Sequence, residues 1–98
     1  MRVELSNQAQ LDLEQIGDFI ARDNPHRAET FIREIADRCA TLSEFPRRFP
    51  YLQRHEASGL RRALHGSYMI VFRIDASVVV VTNVLHGASD FEARLFPD

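Results

Sequence analysis

The sequence predicts an α+β fold with the element order β-α-α-β-β-β: a small antiparallel sheet with an N-terminal helical hairpin packed on one face. Three observations carry that prediction. Apolar residues before position 43 recur at steps of three and four, in two successive stripes. Asp23-Asn24-Pro25 separates the stripes with a short turn. Residues 60–85 then hold three apolar runs parted by two tight turns, the pattern of a meander.

Arg2 to Leu5 alternates polar and apolar, which suits a short strand. Ser6 or Asn7 offers a helix cap. Ala9, Leu13, Ile16 and Ile20 then form one helical stripe, with Asp12, Glu14, Asp18 and Arg22 off it. Asn24 can cap a second helix, and Pro25 suits its first position, where a missing N–H costs nothing. The second stripe is Ala28, Ile32, Ile35, Cys39 and Leu42, with Phe31 and Ala36 beside it. So short a turn makes the two helices an antiparallel pair.

Phe45 to Ser58 reads as a long irregular segment, because Pro46 and Pro50 around Arg47-Arg48 exclude a regular helix. Its arginines interleave with aromatics, a weak nucleic-acid signal when only two arginines take part. Leu60 to Leu64 is a short basic strand. Tyr68 to Ile74 places Tyr68, Ile70, Phe72 and Ile74 on one face, and Met69, Val71 and Arg73 on the other. Val78 to Leu85 is nearly continuous in valine, as expected of a strand buried on both faces. His65-Gly66-Ser67 and Asp75-Ala76-Ser77 are the tight connections. The tail after Gly87 carries apolar residues at helical spacing.

A length of 98 residues favours one domain over residues 1–98. No apolar run approaches the roughly 20 residues of a membrane span, the first ten residues lack a signal-peptide core, and Cys39 has no cysteine to pair with. A cytoplasmic protein is the expectation, with no membrane partner. All 12 of its Lys and Arg residues are arginine, against 14 acids, for a net charge of −2. Residues 1–44 hold 5 Arg against 9 acids, a balance of −4, and residues 45–98 hold 7 against 5, a balance of +2. Overall acidity argues against non-specific nucleic-acid binding, which needs phosphate neutralisation, and no direct sequence-specific nucleic-acid binding is expected, while the second half could still meet an anionic partner.

His26, His55, His65 and His86 form no pair at metal-ligand spacing, so neither a metal nor a cofactor is expected. Ser89-Asp90 near His86 superficially supplies a nucleophile, an acid and a base. Residues so close in sequence rarely converge as a triad, and no nucleophile elbow is present. In a meander His65, Tyr68 and His86 fall at one edge of the sheet. With Arg61, Arg62 and Arg73 on the same sheet, that group could serve acid–base cleavage of RNA. The alternative is that the histidines mark strand ends and Tyr68 packs in the core.

Four stretches in order, "LDLEQIGDFIARDNPHRAETFI", "LSEFP", "LRRALHGSYMIVFRID" and "VTNVLHGASDF", span about residues 9–91. They resemble the ParE branch of the ParE/RelE superfamily, toxins of type II toxin–antitoxin systems. The resemblance implies a small antiparallel sheet with an N-terminal helical hairpin. It also implies a cognate ParD-like antitoxin as partner and DNA gyrase as target, poisoned without a catalytic centre. RelE-like relatives instead cut ribosome-bound messenger RNA; on that alternative Arg61, Tyr68, Arg73 and His86 would be catalytic. A third alternative is an inactive or retargeted member that only binds its antitoxin. ParE relatives usually carry arginine where Asn83 and Ser89 stand here, and losing both weakens the ribonuclease reading.

The residue expectations follow. Arg61, Arg62, His65, Tyr68, His86, Ser89, Asp90 and Phe91 are expected to face the target. Phe19, Phe31, Phe45, Leu95 and Phe96 are expected to meet the antitoxin, as an amphipathic helix or an added strand fitting a groove or the open edge at Val3–Leu5.

Overall fold

The chain is seen here as a computed structural model that describes residues 1–87 and 91–96. Strand β1 (Arg2–Leu5) leads into helices α1 (Asn7–Ala21) and α2 (Pro25–Thr41). Strands β2 (Arg61–His65), β3 (Tyr68–Asp75) and β4 (Val78–His86) follow, and a short helix α3 (Phe91–Leu95) comes last. The α+β class and the helical hairpin are as the sequence predicts.

Both long helices begin where side chains can satisfy their first N–H groups. Ser6 Oγ accepts from the Ala9 N–H at 3.1 Å, and Asn24 Oδ1 accepts from the Arg27 N–H at 3.0 Å. Each such cap stabilises by about 1 kcal/mol. Pro25 occupies the first turn of α2, as expected. The segment between α2 and β2 holds two single-turn 3-10 helices, Pro46–Arg48 and Glu56–Ser58.

The sheet order is β1-β4-β3-β2. β2, β3 and β4 form the antiparallel meander, and β1 lies at the edge, parallel to β4, with Val3 opposite Val79 and Leu5 opposite Val81. The hairpin of α1 and α2 covers one face. Its Phe31, Ile35, Cys39 and Leu42 pack against Ala63, Ile70, Phe72, Val79, Val81 and Val84. Full burial of side chains such as Ile35, Leu42 and Phe72 contributes about 1.5–3 kcal/mol each, so this layer dominates the fold's stability.

The second face is also covered. Met69, Val71 and Leu85 pack there with Leu52, under Leu60, Phe91, Leu95 and Phe96. The irregular segment and α3 therefore close the side that the helical hairpin leaves open, which explains why the valine-rich strand is apolar on both faces.

A bulge in β4 decides which side chains share a face. Phe72 lies opposite Val81, whereas Val71 lies opposite Asn83, so Thr82 is an extra residue. Val79 and Val81 face the helical hairpin; strict alternation would send Asn83 and Leu85 there as well. After the bulge it is Val84 that joins the hairpin-side core and Leu85 that joins the other. His86 is carried to the hairpin side, opposite Tyr68.

β1 ends at Leu5 while β4 runs on to His86, which would leave the β4 edge bare past Val81. The start of α1 fills the gap. The Ser6 N–H donates to the Val81 carbonyl at 2.9 Å, Ser6 Oγ donates to the Thr82 carbonyl at 3.0 Å, and the Val84 N–H donates to Asp12 Oδ2 at 2.9 Å.

Candidate functional site

The site lies at the end of the sheet where the β2–β3 turn and the end of β4 meet. Gly66 takes φ 58° in that turn, a left-handed conformation that glycine adopts without a Cβ penalty. The turn sets His65 opposite Tyr68, and Tyr68 lies opposite His86 on its other side. The expected trio is thus brought to one row across β2, β3 and β4. The Tyr68 ring lies 4.7 Å from the His86 ring and 4.8 Å from that of Phe31. His65 meets Phe31 edge-on at 6.1 Å, and its Nε2 lies 3.4 Å from Glu34 Oε1. Arg27 donates to both oxygens of Glu34, at 2.7 and 3.3 Å. That Arg27 contact, helped by His65, holds the Glu34 carboxyl below its usual range.

Beside this row, α1 and the end of β4 enclose a cleft of about 250 Å³, lined by Gln15, Ile16, Phe19, Tyr68, Val84 and His86, with Asp12 and Arg94 at its side. Phe19 is 64% exposed at its rim. Asp12 is a charged residue with only 3% exposure. Its carboxylate accepts three hydrogen bonds: from the Val84 N–H, from Gln8 Nε2 at 2.9 Å and from Arg94 Nη2 at 3.0 Å. The sequence reading places Asp12 off the apolar stripe with the solvated charges; the structure corrects this. The carboxylate is needed inside because the β4 edge presents an N–H that no strand takes.

The arginines do not join the cluster. Arg61 sits opposite Phe72, four residues along β3 from Tyr68, or roughly 13 Å. Its guanidinium donates to the carbonyls of Arg47 at 3.1 Å and Phe49 at 2.7 Å, and lies 4.0 Å over the Tyr51 ring. Arg62, opposite Val71, belongs to the second face. Arg73 also points to that face and pairs with Asp75 at 2.9 Å. Of the four residues an RNA-cleaving centre would use, only Tyr68 and His86 converge. Ser89 and Asp90 lie outside the described residues. Phe91 opens α3 and packs on the second face, its ring 6.1 Å from that of His55.

The five residues expected at the antitoxin surface are dispersed. Phe31 is corrected from an exposed contact to a core residue, 4% exposed, because its position on α2 points it at Tyr68 and the sheet. Phe19 rims the cleft. Phe45 is 78% exposed and takes φ 50° just before the first 3-10 turn. Leu95 and Phe96 lie on the second face, where Phe96 stacks on His55 at 3.6 Å.

A groove runs along the outside of the helical hairpin; the sequence reading allows for a groove but names none of the helix residues as lining it. Gly17, Ala21, Ala28, Ile32 and Ala36 line one part of it, about 710 Å³, together with the charged Asp18, Glu29 and Arg33. Ile32 and Ala36 continue into an apolar part of about 220 Å³ between α2 and β1, completed by Val3, Leu5, Leu13 and Ala40. Small side chains make the groove by what they leave empty. The recurrence of glycine and alanine at 17, 21, 28, 36 and 40 is the signal that could have found it.

Residues 3–91 match the family described as ParE toxin of type II toxin-antitoxin system, parDE. No curated protein sequence matches. Among solved structures, the chromosomal ParDE system of P. aeruginosa includes a similar chain, with TM-score 0.77 and 17% identity, over 89% of this chain and 96% of that one. The RelBE2 toxin–antitoxin complex of Mycobacterium tuberculosis includes another, with TM-score 0.65 and 27% identity, over 89% of this chain and 91% of that one.

Proposed function

This chain belongs to the ParE toxin family of type II toxin–antitoxin systems, and from that premise we propose that it acts by docking on DNA gyrase rather than by turnover, and that a ParD-like antitoxin holds it inactive. The observation that carries the first part is the separation of Arg61, Arg62 and Arg73 from Tyr68 and His86. Stabilising a phosphorane-like transition state needs preorganised cations at the reacting phosphate. Here Arg61 is committed to loop carbonyls, Arg73 to Asp75, and Arg94 to Asp12. What remains at the sheet end is a cleft with an exposed aromatic rim, suited to receiving a side chain of a protein partner.

The groove outside the helical hairpin supports the second part. Its part between α2 and β1 is apolar, its part along the helices mixes small apolar residues with Asp18, Glu29 and Arg33, and the β1 edge beside it is open, so it suits an amphipathic helix followed by an added strand. Both similar structures belong to systems described as toxin–antitoxin pairs.

The test is to express the chain without its antitoxin, purify it, and compare gyrase supercoiling with the integrity of ribosome-bound messenger. Blocked supercoiling with intact message supports docking. Cut message with normal supercoiling would replace it with the RelE-like reading. Neither activity would leave a member that only binds its antitoxin.

A further inference from the structure

The segment between α2 and the middle of β2 gathers positive charge that nothing above uses. Residues 45–62 hold five arginines and one glutamate. Their fold draws several of these cations together with one from α2. Arg38 and Arg48 both lie over the Phe49 ring, at 5.4 and 4.8 Å. Arg61 lies over the neighbouring Tyr51 ring, and its bond to the Arg47 carbonyl ties Arg47 to the same place. Among the described residues, the arginines in ion pairs are Arg2, Arg27, Arg73 and Arg94; Arg38, Arg47, Arg48 and Arg61 have no carboxylate partner. The hydrogen bonds Arg38 and Arg61 make go to carbonyl oxygens and to the Thr41 hydroxyl, neutral acceptors that orient a guanidinium without neutralising it.

We propose that this arginine–aromatic patch binds the phosphate backbone of a single nucleic-acid strand. Guanidinium groups held over rings are preorganised for the bidentate geometry of a phosphate. Carboxylates of an acidic peptide share that geometry, so charge alone does not choose between the two. The exposed aromatics do. Tyr51 is 42% exposed, and Phe45, whose carbonyl accepts from the Arg48 N–H, is 78% exposed. Every base has a face to stack on such rings, whereas the Asp and Glu side chains of an acidic peptide have none. Phosphate contacts carry no base information, so the binding is sequence-independent. The acidic first half restricts approach to this side of the molecule and keeps the affinity modest. The proposal stands apart from the gyrase reading.

The test uses the full chain and labelled strands of about 20 nucleotides, DNA and RNA of one sequence, titrated at several salt concentrations. Four phosphate contacts give a log–log salt slope of about −2.8, or ~50-fold weaker binding between about 50 and 200 mM salt. The pair Arg47→Ala and Arg48→Ala, whose side chains are exposed, should halve that slope with an unchanged circular dichroism spectrum. Arg73→Ala, on the opposite face, should leave it alone. Tyr51→Leu should weaken binding without changing the slope. No binding at low salt, a slope indifferent to Arg47 and Arg48, or tighter binding of polyglutamate than of either strand would overturn the proposal. A preference for DNA or for RNA identifies which strand supplies the phosphates.

Discussion

Asp12 Oδ2 and the Val84 N–H meet at 2.9 Å across 72 positions of sequence, and this hydrogen bond, with the two that Ser6 gives to the carbonyls of Val81 and Thr82, closes the sheet edge that β1 leaves open. The same carboxylate holds Arg94, so the edge of β4, the start of α1 and the C-terminal helix share a single buried anion. Asp12→Ala strands a buried N–H and releases a cation, and should cost about 2–4 kcal/mol in denaturant unfolding. Asp12→Asn keeps an acceptor for Val84 but loses the charge, so its cost should be clearly smaller. Equal costs would mean that the ion pair with Arg94, not the sheet edge, is what Asp12 serves.

Ala76 occupies the β3–β4 turn with φ 53°, where an L side chain crowds the following carbonyl. Ala76→Gly relieves that strain at the expense of a more disordered unfolded chain. The expected outcome is a gain of up to about 1 kcal/mol, read from the denaturation midpoint with an unchanged m-value.

Cys39 is 3% exposed on α2, and burial pushes its thiol from 9.0 up to about 11, despite the opposing pull of Arg38. A raised folded pKa means the contribution of this group is fully present below pH 9.0 and is lost as pH rises towards 11. Stability should therefore fall across that window, and Cys39→Ala should remove part of the fall. The native thiol should resist aromatic disulfide reagents at pH 8 and react only on unfolding.

Much of the fold is legible because local chemistry and periodicity agree with it. The stripes through Ile16 and Ile35, the cap at Asn24 with Pro25 behind it, and the two tight turns each declare an element. The row of His65, Tyr68 and His86 was legible too, because meander connectivity alone puts those strand ends side by side. Four features were not. The parallel seat of β1 against β4 depends on how the helical hairpin crosses the sheet, which no local pattern reports. The Thr82 bulge hides in a run of valines, where every residue is apolar enough for either face. Asp12 looks like surface charge because its partner is a backbone N–H, and a backbone group leaves no mark in a sequence. The lining of the groove was missed for a related reason: Gly17, Ala21 and Ala36 act by their small size, whereas attention goes to large aromatics such as Phe31, which the core consumes.

The central claim is that the sheet-end cluster is a contact surface and not a reaction centre. The most direct measurement is the gyrase-inhibiting potency of Tyr68→Phe with His86→Gln in one chain, against the unaltered protein, with messenger cleavage followed in parallel. Removing acid–base groups from a catalyst costs about 10²–10⁴ in rate. Trimming one hydroxyl and one ring at a docking surface should cost roughly tenfold or less. Supercoiling inhibition retained within that range, with no message cut by either protein, is the predicted result. Message cleavage by the unaltered chain that the double variant loses a hundredfold or more would contradict it.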